Sequence, residues 1–213
     1  MTLVKICGVT RPQDAGLAEK LGAWAIGLNF YEKSPRAIAP ADAWNIRCKL
    51  ARSTHAIGVF VNWKPEVMMY LVHALQLSAV QLHGDETPKH LNYLENDLPV
   101  VKAFRVAPGF SISNFKKFHR ASYFLLDAAA KKDQFGGTGK TFDWSVAQKA
   151  AESHKIILAG GLTPENVAQA IRAVDPWGVD VASGVERTPR AKDPEKIVAF
   201  VTRARRARPI HGT

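Results

Sequence analysis

The chain has 213 residues, 46% of them hydrophobic, which is enough for one domain with a sizeable buried core. Its formal net charge of +10 attracts anions, nucleic acid included, but does not determine a fold. The sequence contains no run of the roughly 18 apolar residues that a membrane-spanning helix needs, and its start does not resemble a signal peptide. We therefore expect one domain over residues 1–213 in a soluble, cytoplasmic protein.

Short apolar runs rich in β-branched residues recur eight times along the chain. In order they read VKIC, AIGLNF, AIGVFV, AVQLH, VVKAF, YFLLD, KIILAG and VDVAS. Segments with helical spacing separate them, and five of these begin where a capping side chain precedes a proline, at Thr10, Asn62, Thr87, Thr163 and Asp193. This alternation predicts eight strands joined by helices.

Strands that alternate with helices pair in parallel, because each helix carries the chain back along the sheet. Eight such units fit a closed (βα)8 TIM barrel, with helices outside and packed side chains inside. An open doubly wound sheet is the alternative, but no strand precedes the GxGxxG sequence of a dinucleotide fold. We predict a single α/β domain with the barrel fold and a basic C-terminal tail from about residue 203.

Polar residues and glycines follow the predicted strands at their C-terminal ends, where the active sites of such barrels lie. They are Cys7, Asn29, His83, Arg105, Asp127, Gly160 with Gly161, and Ser183 with Gly184. The sequence therefore predicts a catalytic site at this end of the barrel.

Cys7 is the first candidate for catalysis, because Lys5 precedes it by two residues on the same face of the strand. A nearby ammonium lowers the pKa of a thiol, and the thiolate can act as a base or a nucleophile. The structural alternative is a small buried hydrophobic residue. The position at the rim favours function for Cys7, whereas the structural interpretation is preferred for Cys48. The two cysteines form no zinc-ligand pattern, so neither a metal site nor a disulfide framework is predicted.

Asp127 is the second candidate, because it directly follows the apolar run YFLL. Apolar surroundings disfavour the charged form of a carboxyl group, which suits a general acid. A strand-end aspartate that caps a turn is the alternative. Acid and base catalysis needs two groups in opposite protonation states, so we pair Asp127 with Cys7.

Two glycine-containing loops, LAGGLTPENV and VASGVE, follow the seventh and eighth predicted strands, where barrels of this class bind phosphate. Ordinary turns are the alternative for either loop alone. The segment GGTGKT at 136–141 is not a P-loop, because Gln134 stands where that pattern needs glycine. We predict that it forms a glycine-rich mobile loop over the active site, with an ordinary flexible loop as the alternative.

Two further side chains can bind a substrate. Arg36 in KSPR can hold a carboxylate through two hydrogen bonds, and an ordinary surface arginine is the alternative. His83 in VQLHG can orient a substrate or transfer a proton, and a structural histidine is the alternative.

The ordered motifs KICG, KSPR, GVFVN, QLHGDE, LLD, GGTGKTFDW, LAGGLTPENV and VASGVE resemble the phosphoribosylanthranilate isomerase family of tryptophan biosynthesis. The resemblance runs from about Lys5 to Ile197. It implies an aldose–ketose isomerase that converts N-(5-phosphoribosyl)anthranilate into 1-(2-carboxyphenylamino)-1-deoxyribulose 5-phosphate by an Amadori rearrangement. It implies no metal and no organic cofactor.

The resemblance also implies roles for individual residues. Cys7 corresponds to the general base, Asp127 to the general acid, and Arg36 to the group that holds the anthranilate carboxylate. The positions that bind phosphate or line the site are His83, Gly160, Gly161, Asp180, Ser183 and Gly184. Two departures affect this pattern: Ala182 replaces a serine, and Arg190-Ala191 stands where the family commonly has a glycine.

Other functions fit parts of the sequence. A phosphate-binding epimerase or thiamine-phosphate synthase barrel would share the glycine loops but would not explain Cys7, Asp127 and KSPR together. A nucleic-acid-binding protein would explain the basic run from Arg203 to Arg208, but no nucleic-acid motif is present. We expect phosphoribosylanthranilate as a small-molecule partner, no nucleic acid, no membrane, and a monomer, with a homodimer as the alternative.

Overall fold

The computed structural model describes residues 1–128 and 143–207, and these contain eight parallel strands closed into a barrel. The strands are β1 (Leu3–Cys7), β2 (Ala25–Asn29), β3 (His55–Phe60), β4 (Ala79–Leu82), β5 (Val100–Val106), β6 (Tyr123–Ala128), β7 (Ile156–Leu158) and β8 (Gly178–Val181). Each strand pairs with its neighbour in sequence, and β8 pairs with β1 to complete the ring. The predicted (βα)8 barrel is confirmed.

Helices connect the strands on the outside. They are α1 (Pro12–Lys20), α2 (Pro40–Arg47), α3 (Pro65–Ala74), α4 (Ser145–Ala151), α5 (Val167–Val174) and α6 (Pro194–Arg206). Short 3-10 helices, Pro88–Tyr93 and Ile112–Phe118, follow β4 and β5 instead. Within the described ranges, no helix has the length and apolar character needed to cross a bilayer.

The prolines mark several helix starts correctly, but the predicted capping side chains are right only in part. The N-cap residues of α1, α3 and α5 are Arg11, Lys64 and Asn166, and none of the three caps through its side chain. Thr10 and Asn62 are therefore not caps. The Thr163 hydroxyl does accept from the amide of Glu165, at 3.2 Å, in the turn that leads into α5, and Thr87 is the N-cap of the 3-10 helix after β4. Asp193 does cap α6, by accepting two backbone amide hydrogen bonds. A proline in the first turn fixes φ and needs no acceptor, so α1 and α3 begin without a side-chain cap.

An antiparallel hairpin that the sequence did not predict follows β8. A 3-10 turn at Ser183–Val185 leads into β9 (Glu186–Thr188), which pairs with β10 (Ala191–Lys192) before α6 begins. We call this element the β9–β10 hairpin. It brings two charged side chains, Glu186 and Lys192, to the end of the barrel where β1 and β8 terminate.

The barrel interior is closed at one end by aromatic side chains. Trp24, Tyr123 and Trp177 lie at the starts of strands, and the Trp177 ring is 4.9 Å from that of Trp24 and 4.3 Å from that of Tyr123. Above them, small apolar residues such as Ala25 and Ala79 fill the interior. Access to the barrel is therefore left at the opposite end, where the strands finish.

The basic C-terminal run is partly helical. Arg203 Nη1 donates to the carbonyl of Pro164 at 2.7 Å, and Arg205 Nη2 donates to the carbonyl of Gly22 at 3.2 Å. Two of the arginines in the predicted tail thus fasten α6 to the barrel. Residues 208–213 lie outside the described residues.

Candidate functional site

A cleft opens at the C-terminal ends of the strands. Its lining includes Cys7, Asn29, Arg36, Gln81, His83, Asp127, Gly160, Gly161, Asp180 and Ser183. Every predicted site residue except Gly184 is in this lining, and Gly184 adjoins it. Arg105, another rim residue, pairs with exposed Asp85 at 3.1 Å. The predicted glycine-rich loop at 136–141 lies outside the described residues.

Cys7 lies beside a buried ion pair. Lys5 and Asp180 are register partners on β1 and β8, and their side chains meet at 2.9 Å. Burial raises the pKa of Cys7 and the Asp180 carboxylate adds to the rise, while the Lys5 and Lys192 ammonium groups oppose it. Lys5 itself acts in the expected direction, but burial and Asp180 outweigh it, so the expectation of a lowered pKa at Cys7 is wrong. Lys5 also pairs with Asp180, which divides its charge between two neighbours.

Lys192, from the β9–β10 hairpin, anchors the backbone next to Cys7. Its ammonium nitrogen donates to the carbonyl of Cys7 at 2.6 Å, to the carbonyl of Ala182 at 3.0 Å, and to Glu186 Oε1 at 2.9 Å. The side chain is completely buried. These three bonds join the ends of β1 and β8, so they fix where the thiol and the following glycine loop stand.

Arg36 is held by Glu186 in a two-bond pair. Arg36 Nε donates to Oε1 at 2.8 Å and Nη2 donates to Oε2 at 2.7 Å. Burial alone would raise the pKa of Glu186, but the hydrogen bonds from Arg36 and Lys192 outweigh it and lower this pKa. Glu186 is therefore a carboxylate between two cations, and Arg36 reaches the cleft in a fixed orientation.

The loop that carries Arg36 is shaped by local hydrogen bonds. Ser34 Oγ accepts from the backbone amide of Arg36 and from Asn29 Nδ2, each at 3.1 Å. The next carbonyl along the chain, that of Ala37, accepts from Arg190 Nη1 at 2.6 Å. The KSPR segment is thus tied both to the end of β2 and to the β9–β10 hairpin.

Asp127 faces a histidine across the cleft. Asp127 Oδ2 lies 3.5 Å from His83 Nε2, and both side chains are largely buried. The other ring nitrogen, Nδ1, is 2.8 Å from Gln81 Nε2. An amide nitrogen only donates, so Nδ1 accepts and the proton of a neutral His83 resides on Nε2, toward Asp127. The Oε1 atom of Gln81 has no hydrogen-bond partner within the described residues.

The two glycine loops pack closely at the other side of the cleft. Gly160 and Gly161 have φ of +80° and +66°, a region that glycine adopts without strain. A Cβ at Gly184 would collide with the carbonyl oxygen of Leu162. Ser183 begins a 3-10 turn, and the first amides of such a turn have no acceptor within it. Backbone N–H groups of these loops can therefore bind an anion.

Sequence reasoning missed three residues of this site: Gln81, Glu186 and Lys192. Gln81 precedes His83 by two positions, so strand alternation could have placed both side chains on one face. Nothing local indicates that Glu186 pairs with Lys192, because the hairpin between them has no apolar alternation. In the described ranges, no group of three or more His, Cys, Asp or Glu side chains could hold a metal ion.

Residues 4–203 match the sequence model of a family described as N-(5'-phosphoribosyl)anthranilate (PRA) isomerase. The chain belongs to this family. It is 46% identical to the N-(5'-phosphoribosyl)anthranilate isomerase of Trichlorobacter lovleyi, over 97% of this chain and 100% of that one. It is 45% identical to that of Geotalea uraniireducens, over 96% and 99% of the two chains.

Solved structures of phosphoribosylanthranilate isomerases have the same fold. The crystal structure from Thermotoga maritima superimposes with a TM-score of 0.89 at 40% identity, covering 96% of this chain and 99% of that one. Another, in complex with reduced 1-(o-carboxyphenylamino)-1-deoxyribulose 5-phosphate, gives 0.86 at 37% identity, covering 96% and 99%. The resemblance inferred from the ordered motifs is confirmed.

Proposed function

We propose that this chain is an N-(5'-phosphoribosyl)anthranilate isomerase that acts in tryptophan biosynthesis. It converts its aminoaldose phosphate into 1-(2-carboxyphenylamino)-1-deoxyribulose 5-phosphate. The observation that carries the proposal is one cleft that contains Cys7, Asp127, Arg36 and both glycine loops. Membership of the family and the relative bound to a reduced form of this product support the same reaction.

The acid step opens the sugar ring. Asp127 gives its proton to the ring oxygen, the bond from that oxygen to C1′ breaks, and the nitrogen lone pair forms a C1′=N iminium. The resulting Asp127 carboxylate then faces the Nε2–H of His83, which is placed to donate a hydrogen bond to it. A negative charge that appears during the step is thus met by a group already in position.

The base step moves hydrogen from C2′ to C1′. The Cys7 thiolate takes the C2′ proton, and the electron pair of that bond forms a C1′=C2′ double bond as the iminium becomes an enolamine. The C2′ hydroxyl then loses its proton while C1′ gains one, which gives the ketone. Burial and Asp180 raise the pKa of Cys7. The reactive species is therefore the thiolate fraction of the free enzyme, whose proton has passed to the solvent before the substrate binds.

Binding groups lie at either end of the reacting sugar. Arg36 holds the anthranilate carboxylate, because a guanidinium binds carboxylates with directed hydrogen bonds. Backbone amides around Gly160, Gly161, Ser183 and Gly184 bind the phosphate. A serine at position 182 would offer a hydroxyl donor to the phosphate, and Ala182 does not. Backbone amides therefore provide a larger share of the phosphate binding in this chain.

The test compares the parent with Cys7→Ala and Asp127→Asn in an assay that follows loss of anthranilate-type fluorescence. We expect each variant to fold, as judged by circular dichroism, and to lose about 100-fold or more of its turnover, which is the usual range for a lost general acid or base. Cys48→Ala is the matched control, because this thiol is exposed. Near-parental rates in both Cys7→Ala and Asp127→Asn would refute the acid and base assignment.

The oligomeric state is a separate part of the proposal. We expect a monomer, and one of the similar solved structures concerns monomers generated from a dimeric isomerase of Thermotoga maritima. Analytical ultracentrifugation separates a monomer from a homodimer.

A further inference from the structure

We infer that the β9–β10 hairpin sets the specificity of the site for a carboxylated aromatic amine, by fixing Arg36 through Glu186 and the KSPR loop through Arg190. Glu186 and Arg190 are positioning residues in this view, since they act through Arg36 and its loop. The inference rests on the proposed function, because it assumes that Arg36 meets the substrate carboxylate.

The Arg36 side chain is held in one conformation by Glu186. Free arginine side chains have many rotamers, and ordering one on binding weakens the affinity that its hydrogen bonds provide. The two bonds to Glu186, at 2.8 and 2.7 Å, remove this freedom before a substrate arrives. The Arg36 side chain is 12% exposed and that of Glu186 is 6% exposed, so solvent competes little for the pair.

Glu186 pairs with two cations, Arg36 and Lys192. A glutamate beside Arg36 would by itself cancel the charge that attracts a carboxylate. Lys192 contacts the same Glu186 at 2.9 Å, so the three groups carry two positive charges and one negative charge. The cluster keeps one net positive charge at the place where the carboxylate is proposed to bind, and Glu186 orients Arg36 without neutralising it.

Arg190 lies in the turn between β9 and β10. Its φ is +74°, a conformation that side chains other than glycine adopt with strain. Two contacts hold it there: its carbonyl accepts from Thr10 Oγ1 at 2.7 Å, and its Nη1 donates to the carbonyl of Ala37 at 2.6 Å. In this chain, a side chain of the hairpin therefore fixes the residue next to Arg36.

These contacts predict a measurable preference. The contacts that Glu186 and Arg190 make with the KSPR loop should matter for a substrate with a carboxylate ortho to the amine and should matter much less for the aniline analogue that lacks it. A residue needed only for folding would affect both substrates alike. The ratio of kcat/KM for phosphoribosylanthranilate to that for phosphoribosylaniline therefore reports the role of the hairpin.

The experiment measures this ratio for the parent, for Glu186→Gln and for the control Glu95→Gln. Glu95 is exposed, pairs with His73 and is not part of the cleft lining. Glutamine keeps the shape but loses the charge. We expect the ratio to fall about tenfold in Glu186→Gln, mainly through a higher KM for the carboxylated substrate, and to stay unchanged in the control. An unchanged ratio in Glu186→Gln, or equal losses for both substrates, would overturn the inference.

Arg190→Ala provides a second reading if Glu186→Gln folds poorly. This side chain is exposed, and its loss frees the KSPR loop without opening the core. We expect the same ratio to fall by about two- to fivefold, as for the loss of one hydrogen bond acting at a distance. An unchanged ratio in Arg190→Ala would contradict the role of Arg190. A parent that does not turn over phosphoribosylanthranilate contradicts the proposed function instead, so the two failures are distinct.

Discussion

The two sides of the cleft hold the proposed base, Cys7, and the proposed acid, Asp127, in different ways. Around the base, buried charges are paired closely: Lys5 meets Asp180 at 2.9 Å, and Lys192 meets Glu186 at 2.9 Å. Around the acid, Asp127 stands 3.5 Å from His83. The base side is a tight ionic network, and the acid side is a loose chain of polar groups.

This difference fits the roles proposed for the two sides. A network of buried charges is costly to disturb, because removing one partner leaves another charge buried and unpaired. It therefore suits the task of fixing the backbone at Cys7 and the guanidinium of Arg36. A carboxyl group that releases and regains a proton needs surroundings that tolerate both of its forms, and the 3.5 Å separation from His83 fits the role proposed for Asp127.

The largest expected effect comes from breaking the network at Lys192. Lys192→Met keeps most of the side-chain volume but removes the ammonium that contacts two carbonyls and Glu186. We expect a loss of about 3 to 5 kcal/mol in the free energy of unfolding, measured by urea denaturation. Glu95→Gln, which breaks an exposed pair, should cost less than about 1 kcal/mol. Equal losses in the two variants would show that the network adds no stability.

The next effect is the pH dependence of the stability that Cys7 contributes to the folded protein. Because burial and Asp180 raise the pKa of Cys7 in the folded state, the neutral thiol is favoured there. The stability that it contributes is present below the unfolded pKa of about 8.5 and is lost as pH rises through the folded pKa. We expect the parent to lose stability relative to Cys7→Ala in this alkaline range, by denaturation at several pH values. A difference between the two proteins that is constant with pH would contradict the raised pKa.

The same ionisation should appear in the reactivity of the thiol. In Cys48→Ala, which leaves Cys7 as the one cysteine, the rate of alkylation by iodoacetamide should rise about tenfold per pH unit until Cys7 in the free enzyme is ionised. A rate that is flat from neutral pH upward would indicate a thiolate already formed in the free enzyme.

A smaller effect isolates the backbone strain at Arg190. Both Arg190→Ala and Arg190→Gly lose the hydrogen bond to Ala37, but only glycine accepts a φ of +74° without strain. We expect Arg190→Gly to be more stable than Arg190→Ala by about 1 kcal/mol in thermal or urea denaturation. Equal stability would mean that the hairpin changes shape when the arginine is removed.

The smallest effect is expected on the acid side. Gln81→Met removes both the donor to His83 Nδ1 and the buried Oε1 that has no partner in the described part of the chain. Loss of the donor leaves the largely buried Nδ1 of His83 without a partner, and removal of the unpartnered Oε1 offsets part of that cost, so the free energy of unfolding should fall by only about 1 kcal/mol. A loss as large as that of Lys192→Met would abolish the contrast between the two sides.

The sequence was sufficient for the barrel and for the rim because both depend on local patterns. Eight apolar runs alternate with helices, and the ends of parallel strands must meet, so Cys7 and Asp127 could be assigned to one cleft. The network around the base depends on contacts between distant residues. Asp180 is 175 positions from Lys5, and Lys192 is 185 positions from Cys7, so the pKa of Cys7 could not be judged from Lys5 alone.

The most direct test of the account is a crystal structure of this chain with reduced 1-(o-carboxyphenylamino)-1-deoxyribulose 5-phosphate. We expect Cys7 Sγ and the Asp127 carboxyl group at about 3 to 3.5 Å from C2′ and from the oxygen that closes the sugar ring, respectively. The carboxylate of the ligand should lie on Arg36, and its phosphate should lie on the amides of the glycine loops. A ligand bound in the reverse direction, or a thiol out of reach of C2′, would contradict the proposed mechanism.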